Sequence, residues 1–278
     1  MKPEDFDLVS RFVRERSGLV LTKDKAYLLE SRLMPVARRR GMKGLEEVVA
    51  AIRTKRDESL MREVTEAMTT NESFFFRDVK PFDTFKDVIL PRLIAARGGQ
   101  KNFRIWCAAC SSGQEPYSLS MILREEARKL AGWRHDIVGT DISTEILDKA
   151  KAGFYSQFEV QRGLPIQLLL KYFKKTDDLW QIDASLRAMV QYREFNLLND
   201  LRPLGKFDVV FCRNVLIYFD QPTKSRVLEQ VSRLIADDGV LFLGGAETVL
   251  GISTKFKPVP GQRGVYCLAN SASNLATG

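Results

Sequence analysis

The sequence is poor in the residues on which most hydrolytic and metal-dependent chemistry draws. Among 278 residues there is one histidine, His135, and there are four cysteines, Cys107, Cys110, Cys212 and Cys267. Imidazole suits proton transfer near neutrality and recurs as a metal ligand and as the base of Ser-His-Asp triads. A single copy points to a reaction that proceeds without it. Cys107-x-x-Cys110 invites a metal or redox reading, but zinc sites of this kind take a second pair or further histidines, and the chain has neither. No metal is expected. Three of the cysteines lie in apolar runs that read as buried strands, so free thiols in a reducing compartment are the simplest account. No apolar run reaches the roughly 18 residues of a membrane span. The start, MKPEDFDLVS, lacks the basic and then apolar layout of a signal peptide. A cytoplasmic chain without membrane insertion is expected.

What is present is an ordinary globular balance, with 45% hydrophobic and 28% charged residues, enough to bury a sizeable core. The length suits a large domain with a small helical companion. Net charge is +8, and its placement matters more than its size. Residues 11–62 hold fourteen Lys and Arg against seven Asp and Glu, whereas residues 1–70 hold fifteen against twelve, so the excess is a local patch. Such a patch suits an acidic partner, whether nucleic acid, an anionic membrane or a carboxylate-rich protein. A solvated helical face is the plain alternative.

Residues 4–68 carry helix-like apolar spacing, as in Phe6, Val9, Phe12 and Val13, then Leu45, Val48, Val49 and Ile52. Asp24–Arg40 is also helical in character, with Pro35 expected to kink or divide it and Gly41 a plausible stop. From residue 103 the texture changes. FRIWCAAC, HDIVGTDI, FDVVFCRN and GVLFLGGAE read as central parallel strands, and the pieces between them have helical spacing. This alternation predicts a doubly wound α/β sheet. TKFKPVPGQRGVYCLA is expected to add an antiparallel hairpin at the sheet edge, and 271–278 to form a frayed tail.

In an open parallel sheet, ligands bind beyond the carboxyl ends of the strands. After the first strand comes Ala109-Cys110-Ser111-Ser112-Gly113-Gln114-Glu115-Pro116, whose small residues let a ligand approach the backbone. The second strand ends in Gly139-Thr140-Asp141, with Asp141 28 residues after Gly113. A carboxylate there can accept hydrogen bonds from both hydroxyls of a ribose, or it can cap the following helix, a role that Ser143 could fill instead. Asn196 and Asn214 close two further runs. Their amides can pair with adenine or an amino-acid moiety, or simply terminate strands.

Asn71-Glu72-Ser73-Phe74-Phe75-Phe76-Arg77, then WCAACSSGQEPYS, GTDIS and FCRNVLIYFD, in that order, resemble the chemotaxis receptor glutamate O-methyltransferases, the CheR family. The resemblance runs from about residue 5 to 268. It implies an α/β fold, a Rossmann-like class I methyltransferase domain with a small β-subdomain, preceded by a small all-helical domain. The expected boundaries are 1–70 for the helical domain, 71–80 for a linker and 81–270 for the methyltransferase domain, with the β-subdomain at about 160–192. The implied cofactor is S-adenosylmethionine, giving S-adenosylhomocysteine as product.

By the same resemblance, Asn71, Ser73 and Arg77 line the cofactor-facing linker, with Ser73 where a threonine is common. Glu115 faces the methionine amino group and Asp141 the ribose. Asn196 and Leu197 stand on the adenine side, and Asn214 and Val215 at the centre of the site. Arg77 and Tyr218 are the catalytic candidates near the transferred methyl; a surface arginine and a core tyrosine are the plain alternatives. A glutamate nucleophile, with an ordinary pKa of about 4.3, is already ionised at neutral pH and needs no general base. That fits the shortage of histidine.

The implied partner is the cytoplasmic helical region of chemoreceptors, rich in Glu and Gln, for which Arg32, Arg38, Arg39 and Arg40 are the docking candidates. No nucleic-acid partner is expected, and the enzyme is expected to be a monomer. Relatives that tether to a receptor's C-terminal pentapeptide carry a longer, glycine-containing loop where this chain has Lys174-Lys175-Thr176-Asp177-Asp178. A pentapeptide-independent enzyme is therefore expected. The rivals are a class I methyltransferase acting on RNA or a small molecule, and a degenerate fold that senses the cofactor or only docks partners.

Overall fold

Apolar residues spaced three and four apart organise the first of two compact units in the computed structural model, which describes residues 2–54 and 56–271. The expected tail at 271–278 lies outside the described residues except for Ser271. In the first unit, α1 (Pro3–Ser17), α2 (Ala26–Arg39), α3 (Leu45–Thr54) and α4 (Glu58–Met68) turn their apolar faces onto one core that includes Val9, Val13, Leu33, Val48 and Val64. Asp57 caps α4 by accepting the Leu60 N–H at 3.0 Å. Pro35 does not divide its helix: α2 runs unbroken from Ala26 to Arg39 with Pro35 inside it. Gly41 ends that helix in the left-handed region, φ +67, where the Met42 N–H donates back to the Ala37 carbonyl at 2.9 Å.

The helical domain drawn from sequence as a continuous stretch lacks one piece. Tyr218–Lys224 belongs to the same compact unit. The Val20 N–H donates to the Tyr218 carbonyl at 2.9 Å, Arg14 pairs with Asp220, and the Tyr218 ring packs on the helical core. Packing, not chain continuity, decides which unit a residue joins.

In the second unit, α5 (Lys80–Thr84), a π-helical turn at Phe85–Ile89 and α6 (Leu90–Ala96) lead into β1 (Asn102–Ala108), α7 (Gln114–Glu125), β2 (Arg134–Asp141) and α8 (Thr144–Ala152). Next come β3 (Phe154–Ser156), α9 (Gln157–Gln161), α10 (Ile166–Tyr172), β4 (Phe173–Thr176), β5 (Leu179–Ile182), α11 (Ala184–Arg187) and β6 (Val190–Glu194). The chain continues through β7 (Phe207–Cys212), α12 (Gln221–Leu234), which belongs to this unit from Ser225 onward, β8 (Ile235–Leu243), β9 (Phe256–Pro258) and β10 (Val265–Leu268).

The main sheet has the order β6-β2-β1-β7-β8-β10-β9. Its first five strands pair in parallel, whereas β10 joins β8, and β9 joins β10, antiparallel. β1 and β7 therefore flank the point where the strand order reverses, the place at which such sheets bind ligands. β1, β7 and β8 are buried almost throughout, as parallel strands covered on both faces must be. Phe211 and Phe242, register partners on β7 and β8, stack with ring centroids 4.4 Å apart.

A second sheet, β3-β5-β4, is fully antiparallel. It begins earlier than the expected range of 160–192 and ends before it, because Phe154–Ser156 pairs with β5 while Val190–Glu194 joins the main sheet beside β2. The β4-β5 turn holds two residues, with Asp177 at φ +53. Short polar residues tolerate that conformation, so no glycine is needed there.

Candidate active site

The parallel register Ala108↔Thr140 carries the β1 and β2 chain ends out side by side. The loop after β1 then turns sharply, with Ala109 at φ +53, Ser111 at φ +51 and Gly113 at φ +91. Two non-glycine residues in this region are costly, and such strain gathers at functional sites. A Cβ at Gly113 would stand 2.6 Å from the Tyr192 hydroxyl, so both its φ and its surroundings require glycine.

Asp141 ties the two loops together. One carboxylate oxygen accepts the Ser111 N–H at 2.8 Å and the other accepts the Ser143 N–H at 3.1 Å. The cap of α8 is Ser143, whose hydroxyl accepts the Ile146 N–H. Asp141 is thus a buried, oriented carboxylate at a strand end. The β6 end lies alongside, since the Phe195 N–H donates to the Asp141 carbonyl at 2.8 Å. Asn196 accepts the Leu198 N–H through its side chain, and Leu197 is buried.

The linker arrives at the same loop, where the Ser111 hydroxyl donates to the Asn71 carbonyl at 2.8 Å. Phe75 anchors it by burying its ring edge-on to Tyr155 and Phe173. Gly163, at φ +85, lets the Phe75 carbonyl approach so closely that a Cβ would stand 2.1 Å from it. Ser73 is partly buried two residues before Phe75. Arg77 donates to the Glu72 carbonyl at 3.0 Å and lies 5.2 Å from the Phe74 ring centroid. Arg162 lies 4.3 Å from that same centroid and pairs with Glu72 at 2.8 Å. The two guanidinium groups thus share the Phe74 ring, and Glu72 is tied to both, through its carbonyl to Arg77 and through its carboxylate to Arg162.

Two charged residues that sequence reasoning did not single out organise the other side. Arg213, with a side chain 1% exposed, donates to Glu115 at 2.8 Å, to the Arg77 carbonyl at 2.8 Å and to Asp78 at 2.7 Å. Burial pushes the Glu115 carboxyl up, and Arg213 is the main influence opposing that shift. Glu247 is buried and accepts four backbone N–H groups, from Gly244, Asn214, Val215 and Ile217. It pins Asn214 at φ +58. The available signal for both was a charge beside an apolar run, since a buried charge must be paired.

The sequence candidates of the second unit, Asn71, Ser73, Arg77, Glu115, Asp141, Asn196, Leu197, Asn214 and Val215, thus occupy the linker and the strand ends. Tyr218 is placed in the helical unit instead. The four docking arginines differ among themselves. Arg32 donates to the Met68 and Thr69 carbonyls and to Thr70, and Arg40 to Glu63 and Ser59, so both tie their own unit together. Arg39 stands 3.9 Å from Glu63, and Arg38 is exposed without a partner among the described residues.

The donor set suits a nucleoside bearing an amino group. Glu115 offers an anion to a cation, Asp141 retains acceptor capacity for hydroxyls, and the loop between them is free of bulky side chains.

Comparison with known proteins agrees with this architecture. Residues 4–69 match the model of the CheR methyltransferase all-alpha domain, and residues 71–265 match that of the CheR methyltransferase SAM binding domain. Chemotaxis protein methyltransferase 1 of Pseudomonas aeruginosa is 42% identical over 94% of this chain and 96% of its own length. Chemotaxis protein methyltransferase Cher2 of Pseudomonas putida is 39% identical, with the same coverage. A chemotaxis protein methyltransferase of Borreliella burgdorferi is 32% identical over 89% of each chain. With both family domains matched in order and relatives this similar along nearly the whole length, the chain belongs to the CheR methyltransferase family.

Proposed function

We propose that this chain transfers a methyl group from S-adenosylmethionine to glutamate side chains of chemoreceptors, giving methyl esters. The observation that carries the reading is the pair of oriented carboxylates, Asp141 at the end of β2 and Glu115 in the first turn of the helix that follows the adjacent parallel strand β1. Glu115 holds the cofactor's amino group and Asp141 its ribose. Asn196 and Leu197 bound the adenine, Asn214 and Val215 the centre of the site, and Asn71 and Ser73 the linker side.

When bound, the cofactor supplies an electrophilic methyl on a sulfonium, with a neutral thioether as leaving group. The protein's part is alignment and exclusion of water. Arg77 orients the incoming carboxylate without a full ion pair that would blunt it, its guanidinium being shared with the Glu72 carbonyl and the Phe74 ring. The finer proposal is a cytoplasmic monomer that acts without a metal on the helical region of the receptor and without a pentapeptide tether, in keeping with the two-residue β4-β5 turn.

The test is incubation with methyl-labelled cofactor and receptor cytoplasmic fragments, followed by mild base. Label released as methanol supports the glutamate ester. Alkali-stable label, or label on RNA or a small molecule, sinks it. Binding of a receptor tail peptide would overturn pentapeptide independence.

A further inference from the structure

We infer that Arg213 is a positioning residue for methyl transfer, holding the Glu115 carboxylate and the Arg77 segment in a single arrangement. The inference rests on the proposed roles of Glu115 and Arg77, and it assigns Arg213 no contact with the reacting atoms. Three features carry it.

The first is direction. Nη1 of Arg213 donates to the Glu115 carboxylate at the start of α7, and Nη2 donates to the Arg77 carbonyl and to the Asp78 carboxylate in the linker. A planar guanidinium fixes these directions relative to one another, which a lysine ammonium cannot do. The Phe82 ring, 5.6 Å from the guanidinium carbon, packs beside it. Nε has no partner among the described residues. The donors that are used all point to the linker and to Glu115.

The second is the linker's backbone. Phe76, Asp78 and Val79 have φ of +49, +69 and +51. A run of non-glycine residues in that region persists only where surrounding structure holds it. Arg213 supplies two of the holds, to Arg77 and to Asp78.

The third is charge. Glu115 faces Arg213 at the end of β7, Arg77 in the linker and Glu247 after β8. Cys107, Cys110 and Cys212 are close by, and burial keeps their thiols neutral. Burial and Glu247 both disfavour an ionised Glu115, and Arg213 is the stronger of the two cations opposing them. Removing it leaves a buried carboxylate largely uncompensated.

The test compares wild type with Arg213→Met, Arg213→Lys, Glu115→Gln and the Glu115→Gln/Arg213→Met double variant. S-adenosylhomocysteine binding is followed by calorimetry from pH 5.5 to 8.5, and kcat is measured on a receptor fragment at saturating cofactor. In Arg213→Met, Kd is expected to rise about tenfold at neutral pH, and the pH below which binding weakens moves upward. Its kcat falls about a hundredfold, because the Arg77 segment shifts. Arg213→Lys restores part of the binding but little of kcat. The double variant binds as Glu115→Gln does.

A folded Arg213→Met enzyme with the wild-type pH profile and kcat overturns the inference. If that variant does not fold, a wild-type kcat in Arg213→Lys overturns it, and a reduced kcat with partial binding supports it. Wild-type binding by Glu115→Gln removes the proposed role of Glu115. The Arg77 arm is then judged separately, by the kcat of Arg213→Lys.

Discussion

Glu247 accepts the Asn214 backbone N–H at 2.8 Å, and this contact fixes the turn after β7. Three further N–H groups converge on the same carboxylate. A glutamine at this position presents one acceptor oxygen and an NH2 that opposes the remaining donors. Glu247→Gln should therefore lose about 2–3 kcal/mol of stability and at least tenfold in cofactor affinity, by roughly the usual free-energy conversion. Chemical denaturation and calorimetry read the two effects. A variant with wild-type values in both would show that the turn holds without Glu247.

Arg77→Ala is expected to lower kcat about a hundredfold, the scale of losing one preorganised donor. Stability should change little, because the side chain is partly exposed and donates to a neighbouring carbonyl. Steady-state kinetics beside thermal melting make the comparison. Wild-type turnover together with wild-type cofactor binding would remove Arg77 from the site.

The docking arginines should separate by their partners. Charge reversal at exposed Arg38 should slow methylation without unfolding the helical unit, and the loss should shrink as salt screens beyond about 8 Å. Arg32→Glu and Arg40→Glu should instead lower the melting temperature, since each breaks contacts within that unit. Rates of Arg38→Glu that match wild type at every ionic strength would end the docking assignment.

Gly163→Ala places a methyl group 2.1 Å from the Phe75 carbonyl in a left-handed backbone. Overpacking of this kind costs about 1–3 kcal/mol, and the linker that carries Arg77 must move. Stability and kcat should fall together.

His135 offers a pH test free of other imidazoles. Burial holds its pKa below the ordinary value of about 6.5. Above that value the imidazole is neutral in both folded and unfolded chains, so it contributes no pH dependence. As pH falls through it, the unfolded chain takes up the proton first and stability drops. His135→Phe should flatten the stability curve between about pH 6.5 and the lowered folded value. An unchanged curve from denaturation at several pH values would place the acid sensitivity elsewhere.

Much of this molecule is legible without coordinates. Runs such as FDVVFC and VLFL, bounded by helical spacing, determine parallel strands with helices between them, because strands covered on both faces must be apolar throughout. Gly113 can be placed in the loop after the first strand and Asp141 at the end of the second. Periodicity also separates the α1 to α4 segment from the strand-rich unit after it. The tertiary structure decided matters that depend on partners distant in sequence. Arg213 is a lone charge beside a strand until Glu115 and Asp78 arrive from two other elements. Glu247 is one acidic residue in a glycine-rich stretch until four backbone donors turn toward it. Arg32 and Arg40 look like surface charge, and only packing shows them tied to the end of α4 and to Glu63. Local pattern determines elements because it reports which face is buried. The pairing of a buried charge depends on which chain segments meet, and sequence spacing does not encode that.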